Sequence, residues 1–404
     1  MSATINRAQL FRASCLSLLV TSLSFGIRAG ILNQLGTTFA LDKAQLATIT
    51  ATAFWGFPLA VVLGGIVVDI IGMKRLLLLA FIFHLIGILL TVFATGFWTL
   101  FISTLTIGIA NGTVEAACNP LVTTLYPENK TTKLNHFHLW FPGGIVIGTL
   151  IVLLLNKIGL GWQVQVGLML IPTLLYGFLF SKLDFPVTER VAAGVSTAGM
   201  YKALLNPLFI FMFLCMFGTA ITELFTGQWI DVLLKNVSSN AILLLTLETG
   251  VMVLGRGLAE PVLKKIAPQV LLLISATLAA LGIYLLSTLT GNAIFFAAII
   301  FGMGVCFFWP TMLGFVNENL PKTGAIGLNL MGGAGMFAVS IYTMIMGKYY
   351  DDVVKASGGN TTSAGPKVLQ TTLIIPCVLV VCFIGLVIYM RSKGKTAPLK
   401  TASV

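Results

Sequence analysis

Residues 46–75 read LATITATAFWGFPLAVVLGGIVVDIIGMKR, and this stretch decides the fold. From Leu46 to Val68 it carries no charged side chain. A helix of that length covers the ~30 Å of a bilayer's hydrocarbon core. Asp69, Lys74 and Arg75 then arrive together around Gly72. A long apolar helix thus ends in a compact charged turn, as a chain does when it leaves lipid for water. The pattern recurs near 13–37, 46–68, 76–95, 98–125, 137–156, 162–182, 206–230, 240–262, 269–289, 292–316, 325–347 and 370–390. The whole chain is 57% hydrophobic and only 9% charged, with a mean hydropathy of +0.99. A soluble domain carries about 25% charged residues. The reading is an all-α membrane protein of twelve transmembrane helices.

The polar stretch 183–203, LDFPVTERVAAGVSTAGMYKA, separates six spans from six. It divides the chain into a first bundle at 1–182, a cytoplasmic linker at 183–203 and a second bundle at 204–404. The halves echo each other. Asn119-Pro120 in the fourth span answers Trp309-Pro310 in the tenth, and a glycine-rich span follows each, PGGIVIG after the first and MGGAGMF after the second. Two pseudo-symmetric six-helix bundles are therefore expected, and transporters built by such duplication hold their solute near the midplane.

The net charge of +11 does not point to nucleic acid, because 22 of the 24 lysines and arginines sit between or beyond the apolar spans, Arg28 and Arg256 lying within or at the edge of spans. With both termini in the cytoplasm, 16 of them fall inside and 6 outside. That excess fixes the orientation in a bacterial inner membrane. The first apolar segment runs into a span without a small-residue cleavage site. Six scattered cysteines read as small core residues, and the three histidines lack metal-ligand spacing, so no cofactor or metal is expected. Nucleophile–base and phosphate-loop motifs are absent, which argues against an enzyme.

Ionisable residues at membrane depth carry the functional signal, since each costs about 2.5–3.5 kcal/mol to insert. They are Arg28 in span one, Glu115 in span four, Glu223 in span seven and Glu248 in span eight. Asn111, Glu115 and Asn119 are spaced i, i+4, i+8 and share one helical face. Thr219, Glu223 and Thr226 form a similar face. Trp309 offers an apolar platform for a ring, and Trp140 and Gln34 are further contacts. The candidate solute residues are thus Arg28, Gln34, Asn111, Glu115, Asn119, Glu223, Trp309 and Trp140. Glu115, neutralised by Arg28, is the first candidate proton carrier, and Glu223 is the second. His84 reads as a helix-packing residue, and His138 is left open.

Gly65-Ile-Val-Val-Asp69-Ile-Ile-Gly72-Met-Lys74-Arg75 resembles the GxxxDxxGxKR loop of the major facilitator superfamily. Gly255-Arg256-Gly257 with Lys264-Lys265 resembles a degraded second copy. The resemblance implies a monomeric carrier working by alternating access, with spans one, four, seven and ten lining its cavity. It also makes Asp69, Gly72, Arg75 and Arg256 gating residues. Val114-Glu115-Ala116-Ala117-Cys118-Asn119-Pro120, Lys133-Leu134-Asn135 and Gly218…Glu223 with Gln228-Trp229 resemble the fucose permease branch of sugar:proton symporters. A small sugar, membrane lipids and a coupling cation, H⁺ or Na⁺, are the implied partners. One departure stands out: Leu32-Asn33 is followed by Gln34 where that branch has an acid. Two other solute classes stay open, an organic anion clamped by Arg28 and a cationic drug. An Arg28 paired with Glu115 favours neutral solutes, and a lone Arg28 favours anions.

Overall fold

The computed structural model describes residues 5–41, 43–227, 233, 241–359 and 362–394. Within them, eleven helices are long and apolar enough to span a membrane. In chain order they are Arg7–Leu32, Thr48–Ile71, Met73–Val92, Phe97–Leu125, Lys130–Lys157, Trp162–Lys182, Pro207–Phe225, Pro268–Thr288, Ala293–Asn319, Pro321–Ala356 and Ala364–Ser392. The expected eighth span is present as the shorter helix Ala241–Gly257. Counting it eighth, Pro268–Thr288 becomes span nine and Ala364–Ser392 span twelve. Leu150, Leu153 and Leu154 of span five, and Ile374, Val378, Val381 and Ile388 of span twelve, are exposed in helical stripes. Such stripes suit lipid rather than water. Gln228, Trp229 and the sequons at Asn236 and Asn360 lie outside the described residues.

The chain forms two compact units, Met1–Asn206 with Asn319–Gly333, and Pro207–Glu318 with Ala334–Val404. In the first unit, span one packs on span five through small residues. A Cβ on Gly144 would fall 1.9 Å from Ser22 Oγ, so only glycine admits this approach. Ser22 Oγ donates to the Trp140 carbonyl at 2.9 Å across the same seam. The PGGIVIG stretch is therefore a packing motif.

The charged turn after span two is built as its residues demand. Gly72 has φ +86°, a left-handed value that a side chain resists. Asp69 accepts Arg190 Nε at 2.7 Å and Thr188 Oγ1, both from the 183–203 stretch. Lys74 Nζ donates to the Leu183 carbonyl at 2.8 Å, and Lys130 pairs with Glu189 at 2.7 Å. Three contacts thus staple this stretch to the turn, and the Lys130–Glu189 pair ties it to the head of span five. Arg75 itself is exposed.

The two matched prolines explain two long-range contacts. A helical proline has no N–H, so the carbonyl four residues earlier loses its partner. Pro120 in span four strips Ala116, and Asn329 Nδ2 donates to that carbonyl at 2.9 Å. The approach is close enough that a Cβ on Gly65 would meet Asn329 Cβ at 2.6 Å. In the second unit Pro310 strips Cys306, where span ten breaks between Ala293–Val305 and Phe308–Asn319. Arg256 Nε donates to the freed Cys306 carbonyl at 2.6 Å. In each unit a buried polar side chain thus takes over a carbonyl that would otherwise cost about 1–3 kcal/mol to leave bare.

Candidate functional site

Span four carries the first cluster. Its Asn111–Glu115–Asn119 stripe divides between two separate networks. Asn111, fully buried, donates from Nδ2 to Ser24 Oγ at 3.0 Å. Its Oδ1 lies 2.8 Å from His84 Nε2, and His84 Nδ1 lies 2.7 Å from the Tyr176 hydroxyl. The directions follow in sequence. Oδ1 can only accept, so Nε2 carries the hydrogen and Nδ1 accepts from Tyr176. Every polar end in this chain is used inside the bundle. Asn111 therefore braces spans one, three, four and six, and His84 is the packing residue that the sequence suggested.

Glu115 and Asn119 form the second network, 4% and 2% exposed. Asn119 Nδ2 donates to Glu115 Oε2 at 2.7 Å. Its Oδ1 accepts from His138 Nε2 at 3.0 Å, and His138 Nδ1 stands 3.8 Å from Glu115 Oε1. His138, from the head of span five, closes a triangle of carboxylate, amide and imidazole. Sequence reasoning left this histidine open. Its signal was a third ionisable side chain at membrane depth, five residues past Lys133.

Arg28 is not in this network, which corrects the expected Arg28/Glu115 pair. Spans one and four run antiparallel, and Ser24–Asn111 and Ser17–Cys118 contacts fix their register. That register sets Arg28 level with Ile107, eight residues from Glu115, or about 12 Å along the axis. Arg28 and Ile107 do line one small cleft, with Ser24, Thr91, Thr104 and Met169. Arg28 is half-buried there and its guanidinium sits 5.8 Å from the Phe25 ring centre. Among the described residues it has no hydrogen-bond or ion-pair partner.

Gln34 donates to Asn156 Oδ1 at 2.9 Å, and Gln165 donates to the same oxygen at 2.6 Å. It joins the bundle's end and takes no acid's place. Trp140 is half-buried at the head of the glycine-rich helix.

The second unit holds its own cluster. Span seven contains a single π-turn, Ile221–Phe225, an extra residue per turn that marks many functional helices. Glu223 sits in it, and its Oε1 accepts Arg256 Nη2 at 2.7 Å. The two are 4% and 1% exposed. The degraded loop motif is thus no loop at Arg256. The residue lies in the last turn of Ala241–Gly257 and binds the buried carboxylate of span seven. Glu248, on the same helix, is 1% exposed, and its Oε2 makes no hydrogen bond among the described residues. Thr219 and Thr226 are buried beside Glu223 on span seven. Trp309 is 7% exposed and its ring packs against Gly335, where a Cβ would touch at 3.0 Å.

Twelve apolar helices, a charged turn after span two and buried carboxylates in polar networks define a multi-pass membrane protein. The Major Facilitator Superfamily pattern matches residues 14–347, and the chain belongs to that superfamily. The chain is 26% identical over 161 residues to the facilitated glucose transporter member 10 of solute carrier family 2 from Xenopus laevis, covering 40% of this chain and 29% of that protein. It is 27% identical over 169 residues to myo-inositol transporter 1 of Candida albicans, covering 40% and 30%. The match thus spans under a third of the length of each. Among solved structures, the fucose:proton symporter of E. coli superposes with a TM-score of 0.73 at 17% identity, covering 92% of this chain and 98% of that one. The human organic anion transporter MFSD10 superposes at 0.69 and 13%, covering 93% and 100%. At these identities the superpositions establish the fold alone.

Proposed function

We propose that this chain carries a sugar or polyol into the cell by proton symport. It works as a monomer in a bacterial plasma membrane, with both termini cytoplasmic and halves 1–182 and 204–404 joined by 183–203. The solute site opens alternately to either side of the membrane. Asp69 and Gly72 hold the turn that gates the cytoplasmic side, and Arg75 adds charge to it.

One observation carries the reading. Glu115, buried in span four, is held by an amide at 2.7 Å and faces an imidazole at 3.8 Å. A carboxyl in such company can take up and release a proton. The sugar half of the proposal draws on the named relatives, which transport glucose and myo-inositol, and on the fucose:proton symporter fold. Glu115 and Asn119 supply the acceptors and donors that hydroxyls need.

The energetics suffice. One proton moving down ~150 mV releases roughly 3.5 kcal/mol. That supports a few-hundredfold accumulation at ~1.4 kcal/mol per tenfold. Proteoliposomes with an inward proton gradient should concentrate L-fucose, D-xylose or myo-inositol above the external level. A protonophore should erase the difference. Equal levels throughout, for all three, contradict the proposal.

A second reading keeps one specific observation. Arg28 lines a cleft without an ion-pair partner among the described residues, and a guanidinium grips carboxylate or phosphate with two parallel hydrogen bonds. An organic anion would then be the solute. The same vesicles, given dicarboxylates and sugar phosphates, separate the two readings. Arg28→Gln should abolish anion uptake under the second and spare sugar uptake under the first.

A further inference from the structure

The Glu115–Asn119–His138 triangle holds more than a lone carboxylate would. Asn119 fixes the roles of its neighbours. Its Nδ2 donates to Glu115 Oε2, so its Oδ1 faces His138 Nε2 as an acceptor. Nε2 must therefore carry a hydrogen, whatever the charge on the ring. Nδ1 is then the only ring atom whose protonation can change, and it is the atom that stands 3.8 Å from Glu115 Oε1. The opposite setting of the amide is disfavoured wherever Glu115 is charged, because Oδ1 would then face a carboxylate oxygen with no hydrogen to donate.

We propose that His138 and Glu115 act as one proton-holding unit, with the coupling proton passing between His138 Nδ1 and Glu115 Oε1. The inference rests on the symport reading and names the second member of its coupling site. The balance is simple. With the proton on Nδ1, an imidazolium faces a carboxylate. With the proton on Oε1, a neutral ring faces a neutral acid. No other bond changes, and Asn119 keeps both its hydrogen bonds in either state. The unit stays nearly neutral while occupied, which suits a buried site. Loss of the proton leaves one negative charge, which the cluster can hold only where water or solute reaches it.

Other polar and titratable groups stand around the pair. Span four adds the Cys118 thiol and span one the Cys15 thiol. Span two brings Gly64 against Ala116. Arg28 lies about 12 Å away along the helix axis. On span five, Lys133 is drawn over the Tyr126 and Phe11 rings, at 4.9 and 5.8 Å. Asp69 on span two is held by Arg190. Asn329 faces the cluster's helix through its amide alone.

The test uses the full chain in two measurements. First, infrared difference spectra of the protein in nanodiscs are taken across pH, and the Glu115 carboxyl band is identified by its loss in Glu115→Gln. In His138→Gln that band should change both position and pH response, while His136→Gln should leave it as in wild type. A Glu115 band identical in wild type and H138Q overturns the proposal. Second, vesicles are assayed with L-fucose, D-xylose and myo-inositol. H138Q and E115Q should each drop accumulation to about onefold while retaining counterflow, and the double variant should be no worse than either. H138Q accumulating at the wild-type level overturns the proposal. If wild type moves none of these sugars, the sugar reading falls, and the infrared arm still decides the pair. Should H138Q not fold, Glu115→Asp draws the carboxyl one methylene away from Nδ1 and reads the same contact.

Discussion

Span four of the first unit and span seven of the second each bury a carboxylate, but they give it different company. Glu115 meets an amide and an imidazole, with Nδ1 at 3.8 Å. Glu223 meets a guanidinium at 2.7 Å, which also holds the carbonyl freed by Pro310. A guanidinium is always charged and holds its carboxylate by a charge-assisted hydrogen bond. An imidazole can trade a proton with its neighbour. Glu115, the first expected proton carrier, thus has a neighbour that can share a proton, whereas Glu223, the second, is paired with a guanidinium.

The comparison can be broken most forcefully at the Glu223–Arg256 pair. Arg256→Ala strands the Glu223 carboxylate and bares the Cys306 carbonyl in one stroke. It should destabilise the protein by about 3–5 kcal/mol, the usual cost of removing one partner of a buried pair. The thermal unfolding midpoint and the yield of folded protein in detergent would report it. An unchanged midpoint would mean that Arg256 is no clamp. Asn329→Ala removes one neutral donor from the Ala116 carbonyl and should cost less, about 1–3 kcal/mol by the same assay. Glu115→Gln comes next, because glutamine still accepts from Asn119. Its stability loss should stay under about 1 kcal/mol, while proton-driven accumulation disappears. Arg28→Lys should do least, within about 0.5 kcal/mol, since no partner in the described structure is lost.

Much of the fold could be read before any helix was packed. The apolar runs, the charged turn at Asp69–Arg75 and the matched Pro120 and Pro310 all follow from local chemistry. Each proline orphans the carbonyl four residues earlier, but nothing in the sequence says which side chain claims it. The site was less legible. Periodicity places Asn111, Glu115 and Asn119 on one face of a helix, but says nothing of the axial level of a neighbouring helix. Only the Ser24–Asn111 register shows that Arg28 sits two turns away from Glu115. Gly255-Arg256-Gly257 looked like a turn because two glycines flank a charge, yet the helix runs through it. His138 stood in a polar run at a span's entrance, and only the fold turns it onto Glu115.

The account stands or falls on whether protons travel with solute through Glu115. The direct measurement is the pH of a weakly buffered medium outside vesicles when sugar is added. Wild-type protein should turn the medium alkaline as protons enter with the sugar, and Glu115→Gln should exchange labelled sugar with no pH change. Alkalinisation by Glu115→Gln at the wild-type rate would contradict it.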